Sequence, residues 1–389
     1  MFLATIHFHL AAWRDAVLLL AIGPFVYYLA ATFAAWRFFR RERARSFPVF
    51  TPAVSIIKPV YGVDFGSYEN FSSFCKQDYP QHEILFAVND ESDPAVAVIR
   101  RIMRDFPERQ IRFVSGAPKL GTNQKVNNLA LLAREAIYDV LVVSDGDVRV
   151  GPEYLREVVA PLANPQTGAV TSLYRGMVQR NLWAELEAVG AAGDFCAGVL
   201  LASSTEGVSF ALGASIATTK PWLEKIGGFE SFANMLADDY ELGNRIAKAG
   251  GSVQISREIV ATMYPAQSLR SFWQHQVRWA KTIRLCRPGS YAALLFTHGL
   301  PWVLLAAFVA RSGMIAGAYL GAYLSLRLLM AVTVGVWGVH DETLRRKLWL
   351  VPIWDAIHFI VWMASFGSNR VVWGTTQYTA DKGRLLPVP

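Results

Sequence analysis

Long apolar stretches near both ends of the chain constrain its fold more than any other feature of the sequence. Residues 15–36 carry no charge after Asp15, and they are long enough to cross a hydrocarbon core of about 30 Å. The run is too long for the core of a cleavable signal peptide, and basic residues follow it instead of preceding it. We therefore predict a signal anchor with its amino terminus outside, because the positive-inside rule assigns this cluster to the cytoplasm: Arg37, Arg40, Arg41, Arg43 and Arg45.

The carboxyl-terminal third holds further apolar stretches. Residues 291–310 and 312–338 are each long enough to span a membrane, although Arg327 interrupts the second. A basic cluster at 345–347 then predicts a cytoplasmic loop.

A third stretch, residues 348–366, contains Asp355 and His358. If this stretch spanned the membrane, the basic tail would lie outside, against the positive-inside rule. We therefore favour a re-entrant or interfacial segment and a cytoplasmic tail, whose basic residues are Arg370, Lys382 and Arg384.

The composition agrees with a membrane protein. Hydrophobic residues make up 53% of the chain and charged residues 18%, against about 25% charged in soluble domains. The net charge of +7 lies largely beside apolar segments, where it sets topology, so we expect no nucleic-acid partner. We predict an anchor with a basic segment (1–47), a cytosolic domain (48–288) and a membrane region with a tail (289–389).

The cytosolic domain alternates predicted strands and helices. Such alternation favours an α/β fold with a parallel sheet and helices on both faces. Between the strands, helices are expected at 95–105, 124–135 and 153–162. The predicted strands begin at Ala53, Glu83, Ile111, Val140 and Gly168.

Acidic residues follow two of these strands. Asp145 and Asp147 end the apolar run 140–144, and Asp90 ends the strand that begins at Glu83. Carboxylates at the carboxyl ends of parallel strands face the cleft where such sheets bind ligands. A pair of them can hold a divalent cation that neutralises a diphosphate. A polar turn that closes a strand is the alternative for the Asp145–Asp147 pair alone.

Two later segments allow more than one interpretation. Residues 181–207 are apolar but contain acidic residues, which favours a helix packed within the domain over one in the membrane interface. Asp238 and Asp239 open a helix, where acids suit the positive end of the helix dipole. That effect alone would account for Asp238, which we expect to be an exposed acid of the first turn.

The helix predicted at 268–287 carries His275, Arg278 and Trp279 on one patch of its surface. Taken alone, its basic face favours contact with lipid headgroups. Closure over a nucleotide diphosphate is the alternative, since arginine suits bidentate phosphate contacts. The basic face also includes Gln274, Lys281 and Arg284.

Together these pieces resemble the D, D, D, (Q/R)xxRW signature of membrane-bound inverting glycosyltransferases. The matching residues are Asp90, Asp145, Asp239 and the pair Arg278–Trp279. The chain is most similar to the ceramide glucosyltransferases and the related bacterial hopanoid glycosyltransferases, from about Val54 to Arg287. Supporting strings are VSIIKPVYGVD at 54–64, QDYP at 77–80 and GTNQKVNNL at 121–129.

The resemblance implies a Rossmann-like, GT-A-type domain that binds a nucleotide sugar. Asp90 would bind the uracil of a UDP-sugar, and Lys125 would lie near the nucleotide. Asp145, with Asp147, would hold Mg²⁺ or Mn²⁺ against the phosphates. The DGD motif is a fuller D-x-D than these enzymes usually show, which favours metal dependence.

The resemblance also implies the reaction. Asp239 would act as the general base in a direct, inverting displacement. Arg278 and Trp279 would stabilise the diphosphate charge and border the acceptor. His275 stands where the motif has Gln or Arg, so we include it among the substrate-binding residues and leave its role open.

Several substrates and functions stay open. We favour glucose transfer from UDP-glucose to ceramide, a lipid of the bilayer, at a bacterial inner membrane with the catalytic domain in the cytoplasm. Transfer of N-acetylglucosamine to a hopanoid polyol is the alternative. A processive polysaccharide synthase would normally need more spans. A non-catalytic membrane scaffold or transporter would require the acids to be incidental.

Overall fold

A computed structural model describes residues 12–46, 49–373, 376–381 and 383–387. Residues 1–11 of the predicted anchor, the predicted boundary between residues 47 and 48, and Lys382 of the tail lie outside the described residues.

Within the described residues, eight strands form one mixed sheet in the order β3-β2-β1-β4-β7-β6-β8-β5. Strands β1 to β4 pair in parallel, as predicted, and β2 and β4 are buried along their whole length. Parallel strands covered on both faces require such continuous apolar runs. These strands are β1 Val54–Pro59, β2 His82–Val88, β3 Gln110–Ser115 and β4 Val140–Ser144.

The second half of the sheet departs from the all-parallel prediction. Strand β7 pairs antiparallel with β4 and with β6, while β6 and β8 pair in parallel. The sequence prediction included β6 but missed β7 and β8. The strands are β5 Val148–Arg149, β6 Thr167–Val178, β7 Ser215–Thr219 and β8 Ser252–Tyr264.

Helices cover the sheet at the positions that the sequence predicts. Helix α3 (Ala95–Asp105) and helix α4 (Gln124–Glu135) have the expected bounds. Asn123 caps α4 by accepting a hydrogen bond from the Val126 amide, which fixes where that helix begins. The other helices of this domain are α2 Ser67–Cys75, α5 Tyr154–Val159, α8 Lys220–Lys225, α9 Asp238–Lys248 and α10 Leu269–Cys286.

Among the described residues, five helices are long and apolar enough to cross a membrane: Ala12–Ala44, Leu182–Thr205, Pro288–Val309, Gly313–Gly338 and Leu348–Ser365. Several of these helices are interrupted. Their regular parts are α1 Gly23–Ala44, α6 Leu182–Gly190, α7 Cys196–Thr205, α11 Pro288–Ala293, α12 Gly299–Val309, α13 Gly313–Ala331 and α15 Val351–Ser365, with the short α14 Glu342–Arg346 before α15.

Helices α1 and α13 run parallel to each other. The Tyr319 hydroxyl donates to the Leu18 carbonyl near their starts, and the Arg43 guanidinium donates to the Trp337 carbonyl near their ends. The segment between α13 and α14 contacts the α/β domain, where Asp341 accepts a hydrogen bond from the Gly176 amide. The carboxyl end of α13 therefore lies beside the domain.

Helix α15 also stays close to the α/β domain. It packs on α10, and after it the described tail forms three antiparallel strands: β9 Arg370–Trp373, β10 Thr376–Asp381 and β11 Arg384–Pro387. The Leu236 amide donates to the Gly383 carbonyl, and the Leu385 amide donates to the Asn234 carbonyl. The tail thus docks on the α/β domain next to the start of α9.

Candidate active site

A cavity of about 1200 Å³ opens at the carboxyl ends of the parallel strands and continues between the apolar helices. Its two parts have different linings. The donor end lies on the α/β domain, and the predicted site residues in its lining are Lys125, Asp145, Asp147, Asp239, His275, Arg278 and Trp279. The membrane end is lined by residues of α1, α7, α12, α13 and α15.

Lys125 joins the acidic residues of the donor end. It lies in the first turn of α4, and its Nζ is 2.7 Å from Asp145 Oδ1 and 3.3 Å from Asp238 Oδ2. The nearby carboxylates Asp145, Asp238 and Asp239 outweigh burial and hold the pKa of Lys125 above its ordinary value. Asp238 is buried and paired, contrary to the expectation of an exposed first-turn acid.

Asp239 is held in place by two backbone amides. Its Oδ2 accepts a hydrogen bond of 2.9 Å from Gly213, and its Oδ1 accepts one of 2.8 Å from Tyr240. Burial, and then the adjacent Asp238 carboxylate, raise the pKa of Asp239 to about 6. A carboxylate with a pKa near neutrality is suited to take a proton from a hydroxyl group.

Gly213 lets two of these carboxylates approach each other. A Cβ at this position would lie 3.1 Å from Asp239 Oδ2 and 3.4 Å from Asp145 Oδ2. The first distance is tighter than ordinary van der Waals contact, so a side chain here would push Asp239 away from its amide donor.

Asp147 carries the charge that a cation would neutralise. Burial, and then the carboxylates of Asp145 and Asp64, raise its pKa to about 7. On the adjacent strand β1, the fully buried Lys58 donates to the Asp145 carbonyl at 2.8 Å and to Ser144 Oγ at 3.2 Å. Lys58 therefore fixes the turn that presents both acids of the DGD motif.

The predicted patch on α10 forms one wall of the cavity. His275 Nδ1 is 2.6 Å from Oε1 of the buried Glu187, although the ring and the carboxylate are not aligned for a hydrogen bond. The Trp279 ring meets the His275 ring edge-on at 4.8 Å. The Arg278 guanidinium forms no ion pair or hydrogen bond with the described residues, and burial lowers its pKa. This guanidinium is therefore available for an anionic ligand.

Asp90 is the one predicted site residue outside the lining of this cavity. It follows β2 at the expected edge, but it is exposed and its carboxylate accepts hydrogen bonds from the Ser92 amide and hydroxyl. These hydrogen bonds lower its pKa. Its neighbour Asn89 lines the cavity instead and accepts a hydrogen bond from Asn128.

Sequence reasoning missed several residues of the site. Glu187 interrupts an apolar helix, and a buried charge in such a segment is itself a signal of function. Asp238 directly precedes the predicted base Asp239. Its position at the positive end of the helix dipole already accounted for an acid there, so the sequence did not indicate its burial. Gly213 left no signal, and Lys58 lies in the supporting string 54–64 without a role of its own, because the importance of both residues comes from contacts between distant segments.

The chain is similar in sequence to proteins of known name. Ceramide glucosyltransferase 3 of Caenorhabditis elegans is 27% identical over 286 residues, which cover 70% of this chain and 60% of that protein. Ceramide glucosyltransferase 1 of the same organism is 27% identical over 231 residues, 59% of this chain and 49% of that protein. The chain thus spans about half to three-fifths of the length of these relatives.

The fold also has a solved counterpart. A mannosyltransferase from Pyrobaculum calidifontis, determined with GDP-mannose and Mn²⁺, superposes with a TM-score of 0.50 at 17% identity, covering 88% of this chain and 99% of that one. This likeness confirms the predicted GT-A-type α/β fold. A profile of Glycosyl transferase family 21 matches residues 16–386. Since the match covers almost the whole sequence, the chain belongs to Glycosyl transferase family 21.

Proposed function

We propose that this protein transfers a hexose from a UDP-sugar to a hydroxyl group of a membrane lipid with inversion, and that the preferred pair is UDP-glucose and ceramide. One observation carries the proposal: a single cavity is lined by the Lys125–Asp145–Asp239 group at one end and by apolar helices at the other. A soluble donor and a lipid acceptor can therefore meet inside it. The names of the relatives support glucose and ceramide.

The donor end suits a nucleoside diphosphate. Arg278 offers a guanidinium without a partner among the described residues, and such groups bind phosphate oxygens in a bidentate manner. Lys125 adds a second cation, which Asp145 and Asp238 hold in place. Asp90 would have to turn from Ser92 to reach a uracil ring, and we retain it as a binding residue on the resemblance alone.

The acids of the DGD motif fit a divalent cation. Burial and then the neighbouring carboxylates raise the pKa of Asp147, and a cation held by Asp145 and Asp147 would relieve the repulsion between them. No group of three His, Cys, Asp or Glu side chains that could hold a metal ion occurs within the described residues, so the proposal rests on the two acids of the DGD motif. Bound Mg²⁺ or Mn²⁺ would neutralise charge on the departing UDP.

Asp239 is the proposed general base. The amides of Gly213 and Tyr240 fix both of its oxygens, each of which keeps a free lone pair. The acceptor hydroxyl passes its proton to this carboxylate as its oxygen attacks the anomeric carbon and the bond to UDP breaks. A single base suffices for inversion, since no covalent sugar intermediate forms.

We further propose that the α/β domain lies in the cytoplasm. The arginines at the end of α1 adjoin this domain, where Arg45 donates to Gln254, and the positive-inside rule places such a cluster in the cytoplasm. The tail that follows α15 docks on the same domain, and this supports a re-entrant or interfacial α15. A helix whose two ends lie on the same side of the membrane does not span it.

A transfer assay on the detergent-purified protein tests this proposal. UDP-glucose and UDP-N-acetylglucosamine are each offered with ceramide and with a hopanoid polyol, with and without EDTA. We expect glucosylceramide, its loss with EDTA, and its loss in Asp239→Asn. Glu241→Gln is the matched control, since Glu241 lies on the same helix and pairs with Arg245 outside the cavity.

The other outcomes separate the alternatives. Product from UDP-N-acetylglucosamine and the polyol alone would establish the hopanoid activity instead. No product from any pair, while a known glucosyltransferase works in the same assay, would refute the lipid assignment. If the protein also has no affinity for UDP, and its Asp239→Asn variant keeps the binding partners of the wild type, a scaffold would be favoured.

A further inference from the structure

The membrane end of the cavity is built where apolar helices are interrupted. Between α6 and α7, residues Ala191–Phe195 form a π-helical turn. Between α11 and α12, residues Leu294–Phe296 form a 3₁₀ turn, and the backbone is non-helical at His298. Irregular backbone at membrane depth is tolerated only where protein buries it or where it lines a cavity, and π-turns often mark functional sites.

Each interruption places a polar side chain in the cavity lining: Asp194 from the π-helical turn and His298 from the helix break. His358 of α15 lies between them, with its ring 5.1 Å from the His298 ring and its Nδ1 3.0 Å from Asp194 Oδ2. We call Asp194, His298 and His358 the membrane-side polar cluster. Ionisable residues within apolar helices are costly, so such a cluster is expected to have a function.

The cluster has hydrogen-bonding capacity that the protein does not use. Asp194 Oδ2 accepts from Trp354 Nε1 at 3.3 Å and faces His358. Oδ1 of Asp194 accepts no hydrogen bond from the described residues, and its nearest cation, Arg327 Nη2, is 4.0 Å away. The side chain of Asp194 keeps 20% of its surface exposed, within the cavity lining.

His298 supplies a second unsatisfied group. It is 7% exposed, and its Nε2 has no hydrogen-bond partner among the described residues. Its other neighbours are the aromatic rings of Phe359 and Trp362. A buried polar atom without a partner costs free energy unless a ligand satisfies it.

The neighbouring ion pair, in contrast, is complete. Arg327 donates from Nε and Nη2 to Asp355 and from Nη1 to the Gly193 carbonyl, and Tyr323 donates to Asp355. These residues satisfy one another and need no ligand. Unused hydrogen-bonding capacity is thus present at Asp194 and His298 and absent from this ion pair.

We propose that the membrane-side polar cluster binds a polar group of the lipid acceptor other than the hydroxyl that receives the sugar. Asp194 Oδ1 accepts from an amide N–H or a secondary hydroxyl, and His298 completes the contact. The inference rests on the proposed function and adds a specificity site to it. It predicts that the acceptor is a long-chain lipid with a second hydrogen-bonding group, as in an amide-linked amino alcohol.

Equilibrium binding of a fluorescent ceramide to the full-length protein in nanodiscs, without donor, tests this inference. The comparison probe is the same lipid with its amide N-methylated and its secondary hydroxyl methylated. We expect the wild-type protein to bind the unmodified probe about tenfold more tightly, the effect of one or two hydrogen bonds. Asp194→Asn and His298→Gln should each weaken binding of the unmodified probe and reduce this discrimination.

His82→Gln is the matched control. His82 is also a buried histidine whose Nε2 lacks a partner, but it lies at the start of β2, outside the cavity. This variant should discriminate between the probes as the wild type does. Affinity for UDP should stay unchanged in all three variants, whereas a variant that had lost its fold would lose UDP binding together with lipid binding.

The inference is overturned if the wild-type protein does not discriminate between the probes, or if both cluster variants keep the full discrimination. If one variant folds poorly, the other variant and the comparison of the two probes on the wild-type protein still test whether the cluster binds the polar group. Since the assay contains no donor, it is independent of transfer. Binding without transfer would refute the proposed function, and transfer to ceramide with unchanged discrimination in the variants would refute only the inference.

Discussion

The two ends of the cavity are built in opposite ways. At the donor end, functional side chains stand where regular elements begin or end: Asp145 after β4, Lys125 at the start of α4 and Asp239 at the start of α9. At the membrane end, Asp194 and His298 stand where helices are interrupted. In the α/β domain, the ends of strands and helices position the charged side chains. Among the apolar helices, interruptions of the helices position them.

The largest expected effect is at the donor end. Asp239→Asn should lower kcat by about 10²–10⁴-fold, the usual contribution of a general base. The melting temperature should change little, because the loss of one of the two amide contacts is offset by the removal of the repulsion between the Asp239 and Asp238 carboxylates. Transfer rates and thermal unfolding are measured together, with Glu241→Gln as control. Retention of more than a tenth of the wild-type rate would remove Asp239 from the role of base.

The ion pair at the membrane end should instead govern stability. Arg327→Leu leaves Asp355 buried and unpaired, and breaking a buried pair costs about 3–5 kcal/mol. The double variant Arg327→Leu, Asp355→Leu should recover part of that loss, because no charge is then left alone. Unfolding in detergent measures both. Equal stability of the single variant and the wild type would show that water reaches this pair.

Arg278→Lys should have a smaller effect that is confined to the donor. Replacing a bidentate guanidinium by an ammonium weakens phosphate contacts, so we expect kcat/KM for the UDP-sugar to fall about 10- to 100-fold. Affinity for the lipid should be unchanged. Arg284→Lys on the same helix is the control, since Arg284 contacts Asn369 away from the cavity. A change in lipid affinity alone would support the headgroup interpretation of α10.

The smallest effect is the dependence on pH. Asp239 accepts a proton only when ionised, and its pKa is raised to about 6. As the pH falls through this value the protonated fraction grows, so kcat/KM should decline about tenfold per pH unit on the acid side. A profile between about pH 5 and pH 8 measures it. A flat profile would mean that the base has an ordinary carboxyl pKa.

Sequence patterns predicted the donor end better than the membrane end, for physical reasons. Apolar runs with a polar end are local signals, so β4 and the bounds of α3 and α4 followed from the sequence. Strands β7 and β8 were missed because polar residues interrupt both, so neither shows the continuous apolar run of β4. The direction of the Asp90 side chain depends on its hydrogen bonds to Ser92, which the strand pattern does not determine.

Helix interruptions are harder to predict. The sequence predicts one packed helix at 181–207 and one span at 291–310. The acids in the first stretch weaken its apolar pattern without locating the π-helical turn at Ala191–Phe195. Arg327, Asp355 and His358 seemed to argue against membrane segments. In the structure, Arg327 pairs with Asp355, and His358 with Asp194. These pairs form between different helices, so the sequence of any one helix does not predict them.

The docked tail gives the apolar helices a further attachment to the α/β domain. Strand β11 and the turn before it bond to Asn234 and Leu236, and Leu236 lies two residues before Asp238. A helix bundle fastened in this way cannot change its tilt without pulling on the first turn of α9. Lipids of different acyl-chain length alter helix tilt through hydrophobic mismatch. A change in bilayer thickness would therefore act on the helix turn that carries Asp239.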